Sequence, residues 1–322
     1  MKQDYKVLIL FIIGLAIFPP IAYHIEGIQH YIDIMIFVGI FSLITIGLSL
    51  LMGYAGQISL GHAAFFGIGA YTSAVLTGKF GFNPWVAFVV GILLTAAIAY
   101  LMGIPSLKLR GHYLAMATLG FGIIIFIVFN EWDTMTAGPS GFSDIPGISI
   151  GGFHLDSDIK YYTFVWAIVV LILLFSINVI NSRIGRAFRS IHGSEDAANA
   201  MGVNTSKYKI QIFVMSAVYA SVAGSLYTHY MNFLSPSSFS LFFSIKLIIM
   251  VILGGGMANI WGAILGTWTI TLLGAEWLHF LEEFEFVAYG AILLLMTIFL
   301  PRGLIGLVEF LAVRGRKKVL AR

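Results

Sequence analysis

Cysteine is absent from this chain of 322 residues, and charge is scarce, with Asp, Glu, Lys and Arg making up 10%. The first absence excludes disulfides, thiolate metal sites and cysteine nucleophiles. The second excludes a water-soluble body, because an ordinary soluble domain is about a quarter charged. A cytosolic enzyme, a secreted domain and a disordered chain are all ruled out on that ground. The phosphate-cradling pattern G-x-x-x-x-G-K-[ST] is also missing. Lys79 follows Gly78 but lacks the upstream glycine and the following hydroxyl. His24, His30, His112, His154, His192, His229 and His279 are scattered near the ends of apolar runs, without the H-x-x-x-H spacing of a metal site. No catalytic residue, metal or cofactor is therefore expected.

What is present is hydrophobic: 59% of residues, with a mean hydropathy of +0.94. A membrane-crossing helix needs about 20 mostly apolar residues. Ten stretches qualify, at roughly 7–23, 32–52, 58–77, 84–104, 112–130, 161–181, 208–231, 239–256, 258–275 and 284–300. Their continuity excludes a β-barrel, whose strands read as short alternations. The first stretch lacks a closing small-x-small cleavage site and reads as a retained helix. The expected fold is an all-α polytopic membrane bundle, residues 1–322 forming one transmembrane domain.

Ten crossings place both termini on one side. The loops of that side hold Lys2, Lys6, Lys108, Arg110, Arg183, Arg186, Arg189, Lys207, Lys209, Arg302, Arg314, Arg316, Lys317, Lys318 and Arg322, fifteen of the 18 basic residues. By the positive-inside rule that side is cytoplasmic. The net charge of +3 is thus a topology signal, and nucleic acid is not implied. Ten spans also divide into five plus five of opposite starting direction, the parity of an inverted repeat. Residue identity alone does not display such a repeat.

Glycine numbers 35. Small stripes such as Gly91, Thr95, Ala99 and Gly103, or Ala258, Gly262 and Gly266, suit close helix packing. Two clusters are different because polar side chains adjoin them. One runs from Gly53 through Gly56, Gln57, Ser59 and Gly61 to His62. The other runs from Gly254 and Gly255 to Asn259 and Gly262. Each is either a tight turn between two crossings or a break inside a re-entrant segment. Broken backbone at membrane depth is tolerated only where protein or a water-filled cavity satisfies it. Gly53, Gln57, Ser59, Gly61, His62, Gly255, Asn259 and Gly262 are accordingly the candidates to line a translocation route. The plainer alternative is that the polar members cap helix ends or bridge helices.

The largest loop on the basic side spans 182–207. Ser194 is a good N-cap, Glu195 and Asp196 suit the first turn of a helix, and Gly202 suits its end. A helix of about two turns is expected over 194–202, with Ala197 and Ala198 on a small face open to a docking partner.

These residues carry a resemblance. Asp196-Ala197-Ala198-Asn199-Ala200-Met201-Gly202 resembles the Glu-Ala-Ala-x-x-x-Gly loop of ABC importer permeases, with Asp in the first position and Glu195 just before it. The segment GYAGQISLGHAAFFGIGAYTSAVL resembles the early signature of branched-chain amino-acid permeases, and GGGMANIWGAILGT their late one. The stretch from Thr136 to Pro146 resembles the outer loop of their M-type (LivM-like) subunit. The likeness covers essentially the whole chain. It implies a permease subunit in a bacterial inner membrane that carries leucine, isoleucine or valine. It also implies a second permease subunit, two cytoplasmic ATPase subunits that bind the ATP, and an external solute-binding protein. Glu195, Asp196, Ala197, Ala198 and Gly202 then form the ATPase-coupling contact. Urea and short-amide importers share these motifs and remain an alternative. An ion-coupled secondary transporter is disfavoured, because no carboxylate lies centrally in an apolar run and only Lys246 and His62 are ionisable there.

Overall fold

The computed structural model describes residues 2–24, 29–109, 111–150, 153–255, 259–276, 284–300 and 303–306. Both chain ends, Arg110, Ala258 and the acidic 282–283 pair lie outside these. Each of the ten apolar stretches holds a helix. They are α1 (Lys2–His24), α2 (His30–Leu48), α3 (His62–Ala74), α4 (Pro84–Ser106), α5 (His112–Glu131), α7 (Asp158–Asn181), α10 (Thr205–Met231), α11 (Leu241–Gly254), α12 (Ile260–Glu276) and α13 (Glu285–Phe299). Short helices outside the apolar stretches include α6 (Asp133–Thr136), α8 (Arg183–Gly193) and α9 (Glu195–Ala200). Strands β1 (Ser149–Ile150) and β2 (Phe153–His154) pair antiparallel between α6 and α7. The chain is an all-α, multi-pass membrane protein.

Among the described residues, five segments are long and apolar enough to cross a membrane alone: His30–Tyr54, Pro84–Ser106, His112–Glu131, Asp158–Asn181 and Thr205–Met231. Others are shorter. The 14 residues of α11 rise about 21 Å, less than a hydrocarbon core of about 30 Å. Helices of that length serve when irregular segments complete the crossing inside protein.

The centre of the bundle is α10, which packs on α2, α3 and α4. It runs antiparallel to α2: Asp33 meets Tyr230, Phe37 meets Tyr227, and Gly47 meets Ser216. It runs parallel to α3, since Ser216 meets His62 while Ser225 meets Ser73. Contact between α10 and α3 is close because the facing positions are small. A methyl on Gly224 would overlap the Phe66 carbonyl oxygen, and one on Gly69 the Ser221 carbonyl oxygen. Small residues supply van der Waals packing where lipid supplies no hydrophobic drive between helices.

Packing pairs recur when α2, α3, α4 and α5 are exchanged for α10, α11, α12 and α13. Helix α4 packs on α10 and α12 on α2; α3 packs on α4 and α11 on α12; α3 packs on α5 and α11 on α13. Even the polar ties correspond. Thr95 on α4 donates to Ser221 on α10 at 3.0 Å, and Thr267 on α12 meets Thr45 on α2 at 2.7 Å, all four buried. Because α2 and α10 are antiparallel, these two sets of four helices pack as inverted copies of each other, whereas α1 and α7 do not correspond: α7 packs extensively on α2.

Candidate functional site

The first glycine cluster is a long break inside the bundle. Helix α2 ends in a π-helical turn, Ser49–Tyr54. Residues 56–61 then run without regular structure before α3 starts at His62. Gly56 lies against His192 of α8, at one end of the bundle. His62 meets Ser216, which lies eleven residues, or about 16 Å, along α10 from Thr205. The irregular stretch therefore reaches from the bundle end to mid-depth, and α3 begins there.

Protein satisfies this exposed backbone. Gln57 N–H donates to the Leu51 carbonyl at 3.0 Å, and Leu60 N–H donates to Thr118 Oγ1 of α5 at 2.9 Å. Ala63 N–H, in the first turn of α3, donates to Ser244 Oγ of α11 at 3.1 Å. Helix α11 also starts within the bundle, after a 3-10 turn over Pro236–Phe239 that packs on Phe66, Tyr71 and Phe129. The first turns of the two corresponding helices of the repeat thus meet.

His62 is fully buried. Its Nδ1 lies 3.0 Å from Ser59 Oγ and its Nε2 2.6 Å from Ser216 Oγ. A neutral imidazole donates through one nitrogen and accepts through the other, so one ring ties the break to α10. Phe65 and Phe213 pack edge-on to it. Gln57 is half-buried, and its amide donates to its neighbour Ala55's carbonyl at 3.0 Å. Gly53 is buried, and Gly61 sits against the Thr118 carbonyl, where a methyl would intrude.

At the second cluster α11 ends on Gly255 and α12 follows from Asn259. Gly255 takes the left-handed conformation, φ +91°, that ends α11. Helices α11 and α12 then cross almost backbone to backbone: a methyl on Gly254 would overlap the Gly262 carbonyl oxygen, and one on Gly266 the Met250 carbonyl oxygen. Asn259 caps α12, its Oδ1 accepting from Trp261 N–H at 3.1 Å and Gly262 N–H at 3.4 Å. So the structure does not bring the polar residues of the two clusters together.

The loop between α7 and α10 holds two helices, not one. Sequence reading missed α8, whose signal was Ser182 accepting the Ile184 N–H at 3.1 Å and an apolar period that buries Ala187, Phe188 and Ile191. Arg189 reaches back to the Ile180 carbonyl at 2.5 Å and lies 5.9 Å from the Tyr54 ring centroid. Helix α9 is framed as expected. Ser194 Oγ accepts from Ala197 N–H at 3.3 Å. Gly202, φ +83°, donates to the Asn199 carbonyl at 2.9 Å, and Val203 to the Ala198 carbonyl at 3.0 Å, the paired bonds of a Schellman stop.

The five residues expected to form one docking contact separate into two layers. Ala198 is buried against its own chain, while Asp196, Ala197 and Gly202 are exposed. Glu195 points inward: its Oε1 pairs with Lys209 Nζ of α10 at 2.9 Å, and the Lys209 side chain is 2% exposed. Thr205 Oγ1 donates to Asn199 Oδ1 at 3.0 Å beside that pair. Beside α9 opens a cleft of about 580 Å³ lined by Arg183, Arg186, Ser190, Asn204, Lys207 and Tyr208, with Gly202 and Val203 on its rim. Among the described residues no group of three His, Asp or Glu converges to hold a metal ion.

Residues 30–300 match the family described as branched-chain amino acid transport system / permease component. The chain is 31% identical over 297 residues to the high-affinity branched-chain amino acid transport system permease protein LivM of Salmonella typhimurium, covering 85% of this chain and 69% of that protein. It is 30% identical over 319 residues to the LivM of Escherichia coli, covering 92% and 74%. A more distant likeness, 24% over 288 residues, covers 84% of the chain and 92% of the permease protein LivH of Salmonella typhimurium. No solved structure matches.

Proposed function

This chain belongs to the permease family of branched-chain amino acid transport systems, and from that premise we propose that it is one of two permease subunits of an ATP-driven importer. Its cargo is leucine, isoleucine or valine, as the names of its LivM relatives support. The likeness to both LivM and LivH supports a LivH-type second subunit as its partner. Two ATPase subunits on the cytoplasmic face bind ATP, and a solute-binding protein delivers cargo from outside. The basic-rich loops, with α8 and α9, face the cytoplasm of a bacterial inner membrane, and both termini lie there too. The whole chain is one transmembrane domain, with 182–207 as its coupling loop.

The observation that carries this reading is the 182–207 loop. Its sequence matches the importer-permease pattern, and its helix α9 is stopped on Gly202 with an exposed surface formed by Asp196 and Ala197. An ATPase stroke has to enter this chain through a surface, and α9 offers a rigid one. The Glu195–Lys209 pair then joins that surface to α10. Two turns further along α10, Ser216 holds His62 and with it the broken segment. Residues 56–61 line the route, with Gln57 as the polar side chain that faces it and Ser59 and His62 as the groups that hold it. Gly255, Asn259 and Gly262 shape the α11–α12 contact beside it.

Uptake of radiolabelled leucine, isoleucine, valine and urea, in a strain lacking its own importers and supplied with the full complex, tests the cargo. Uptake of the three branched-chain amino acids and not urea is expected. Uptake of urea alone would reassign the cargo. Orientation is tested with single cysteines at Ala197 and Ser143 and a membrane-impermeant thiol reagent on intact cells. Labelling at 143 but not at 197 is expected, and the reverse would overturn the orientation.

A further inference from the structure

By sequence, Glu195 and Asp196 make an acidic first turn in the contact expected with the ATPase. The structure turns that polarity round. Glu195 is consumed by Lys209 within this chain, and the loop's outward charge is concentrated instead in Arg183, Arg186 and Lys207, which line one cleft. All three are exposed, and among the described residues no carboxylate lines the cleft. Ser190 and Asn204 add a hydroxyl and an amide to the wall. One residue past the end of α9, and next in the chain to the lining Gly202, stands Met201, 85% exposed and the most exposed of the large hydrophobic residues described.

We propose that this cleft is an interaction surface that receives carboxylate side chains of the ATPase subunit, with Met201 as its apolar anchor. The proposal rests on the reading that the ATPase docks on the 182–207 loop. Charge complementarity selects an acidic occupant. The exposed methionine favours a protein occupant, because arginine and methionine together are what protein interfaces enrich. The arginines present planar donor forks suited to carboxylates. Continuity with α9 through Gly202 and Val203 places the cleft beside the stroke-bearing helix, so docking and the stroke are delivered to adjacent surfaces.

The test uses the assembled transporter in detergent and in vesicles. A water-soluble carbodiimide joins an amine to a carboxylate only when they touch, and should link Lys207 to an Asp or Glu of the ATPase, mapped by mass spectrometry. Arg183→Gln/Arg186→Gln should lower ATPase retention during purification at least tenfold at moderate salt and flatten its salt dependence. Met201→Ser should weaken retention equally at all salt concentrations. An Ala197→Cys cross-link to the ATPase reports separately on docking at the loop. If Ala197→Cys cross-links while Lys207 does not and the arginine variant keeps its ATPase, the cleft proposal fails and the docking reading stands. If neither cross-link forms, both fail. If the arginine variant keeps its ATPase but loses co-purifying anionic phospholipid or bound inorganic phosphate, the cleft belongs to those ligands and the proposal is overturned.

Discussion

The two glycine clusters look alike as sequence, each a run of glycines leading to a polar residue and then a helix, yet they fold into opposite things. Residues 56–61 form an irregular stretch reaching to mid-depth, held by bonds to Thr118, Ser216 and, at the start of α3, Ser244. At the second cluster, helices α11 and α12 meet with their backbones touching at Gly254, Gly262 and Gly266. The difference lies in what holds each in place. At the helix contact, missing side chains let carbonyls of the facing helix approach. At the break, Gly61 admits the Thr118 carbonyl in the same way, but the rest of the stretch is held by polar side chains, with Ser59 and His62 in the interior. A polar residue next to glycine therefore carries different weight in the two places: Asn259 serves the helix it starts, while His62 serves a contact 154 residues away.

Substitutions that strike one cluster and spare the other separate these roles. The largest effect is expected for Gly262→Leu, because the α11–α12 contact has no space between Gly254 and Gly262 for even a methyl. No monodisperse permease should be recovered on size-exclusion chromatography. Gly56→Ala, at φ +66° with its nearest neighbour 3.4 Å away, should cost only about 1–2 kcal/mol and still yield protein. Equal loss in both would erase the distinction.

Next comes the buried pair that leads from α9 into α10. Lys209→Met leaves Glu195 without its cation, and breaking one side of a buried pair costs about 3–5 kcal/mol. The lower end applies here, since the Glu195 side chain keeps 19% exposure. Lys209→Met should lower the melting temperature and uncouple ATP hydrolysis from uptake, and Lys209→Met/Glu195→Met should recover most of the stability. If the double variant is no more stable than the single one, the pair is not the tie between the two helices.

His62→Leu should follow in size. It strips the Ser59 and Ser216 hydroxyls of a partner, and each unsatisfied buried polar group costs about 1–3 kcal/mol. The permease should still assemble, with a lower melting temperature and impaired uptake. The smallest effect belongs to Asn259→Ala, the loss of an N-cap worth about 1 kcal/mol, with uptake close to the parent. An Asn259→Ala permease that assembles well but fails to transport would move the route to the second cluster.

Much of this architecture was legible in the residues. All ten apolar stretches hold helices, and α9 begins and ends on the Ser194 and Gly202 that mark it. What stayed hidden depends on distance along the chain. Whether Glu195 or Asp196 faces outward is decided by Lys209, fourteen residues on. What each glycine cluster packs against is decided by residues far along the chain, Ser216 and Ser244 for the first and the facing helix backbone for the second. The inverted repeat is written in packing pairs, such as Thr45 with Thr267 and Thr95 with Ser221, not in matching residues. Helix α8 had a local signal, its apolar period behind Ser182, obscured by Gly185 and Gly193 near its two ends.

The claim on which the account turns is that the break lines the moving route and the α11–α12 contact does not. A chain without cysteine allows a direct measurement. Gln57→Cys and Asn259→Cys permeases, assembled with their partners in vesicles, are labelled by a small water-soluble thiol reagent with and without ATP and loaded binding protein. The account predicts that the labelling rate at 57 changes severalfold during turnover and that the rate at 259 does not. A rate that changes at 259 and stays constant at 57 would contradict it.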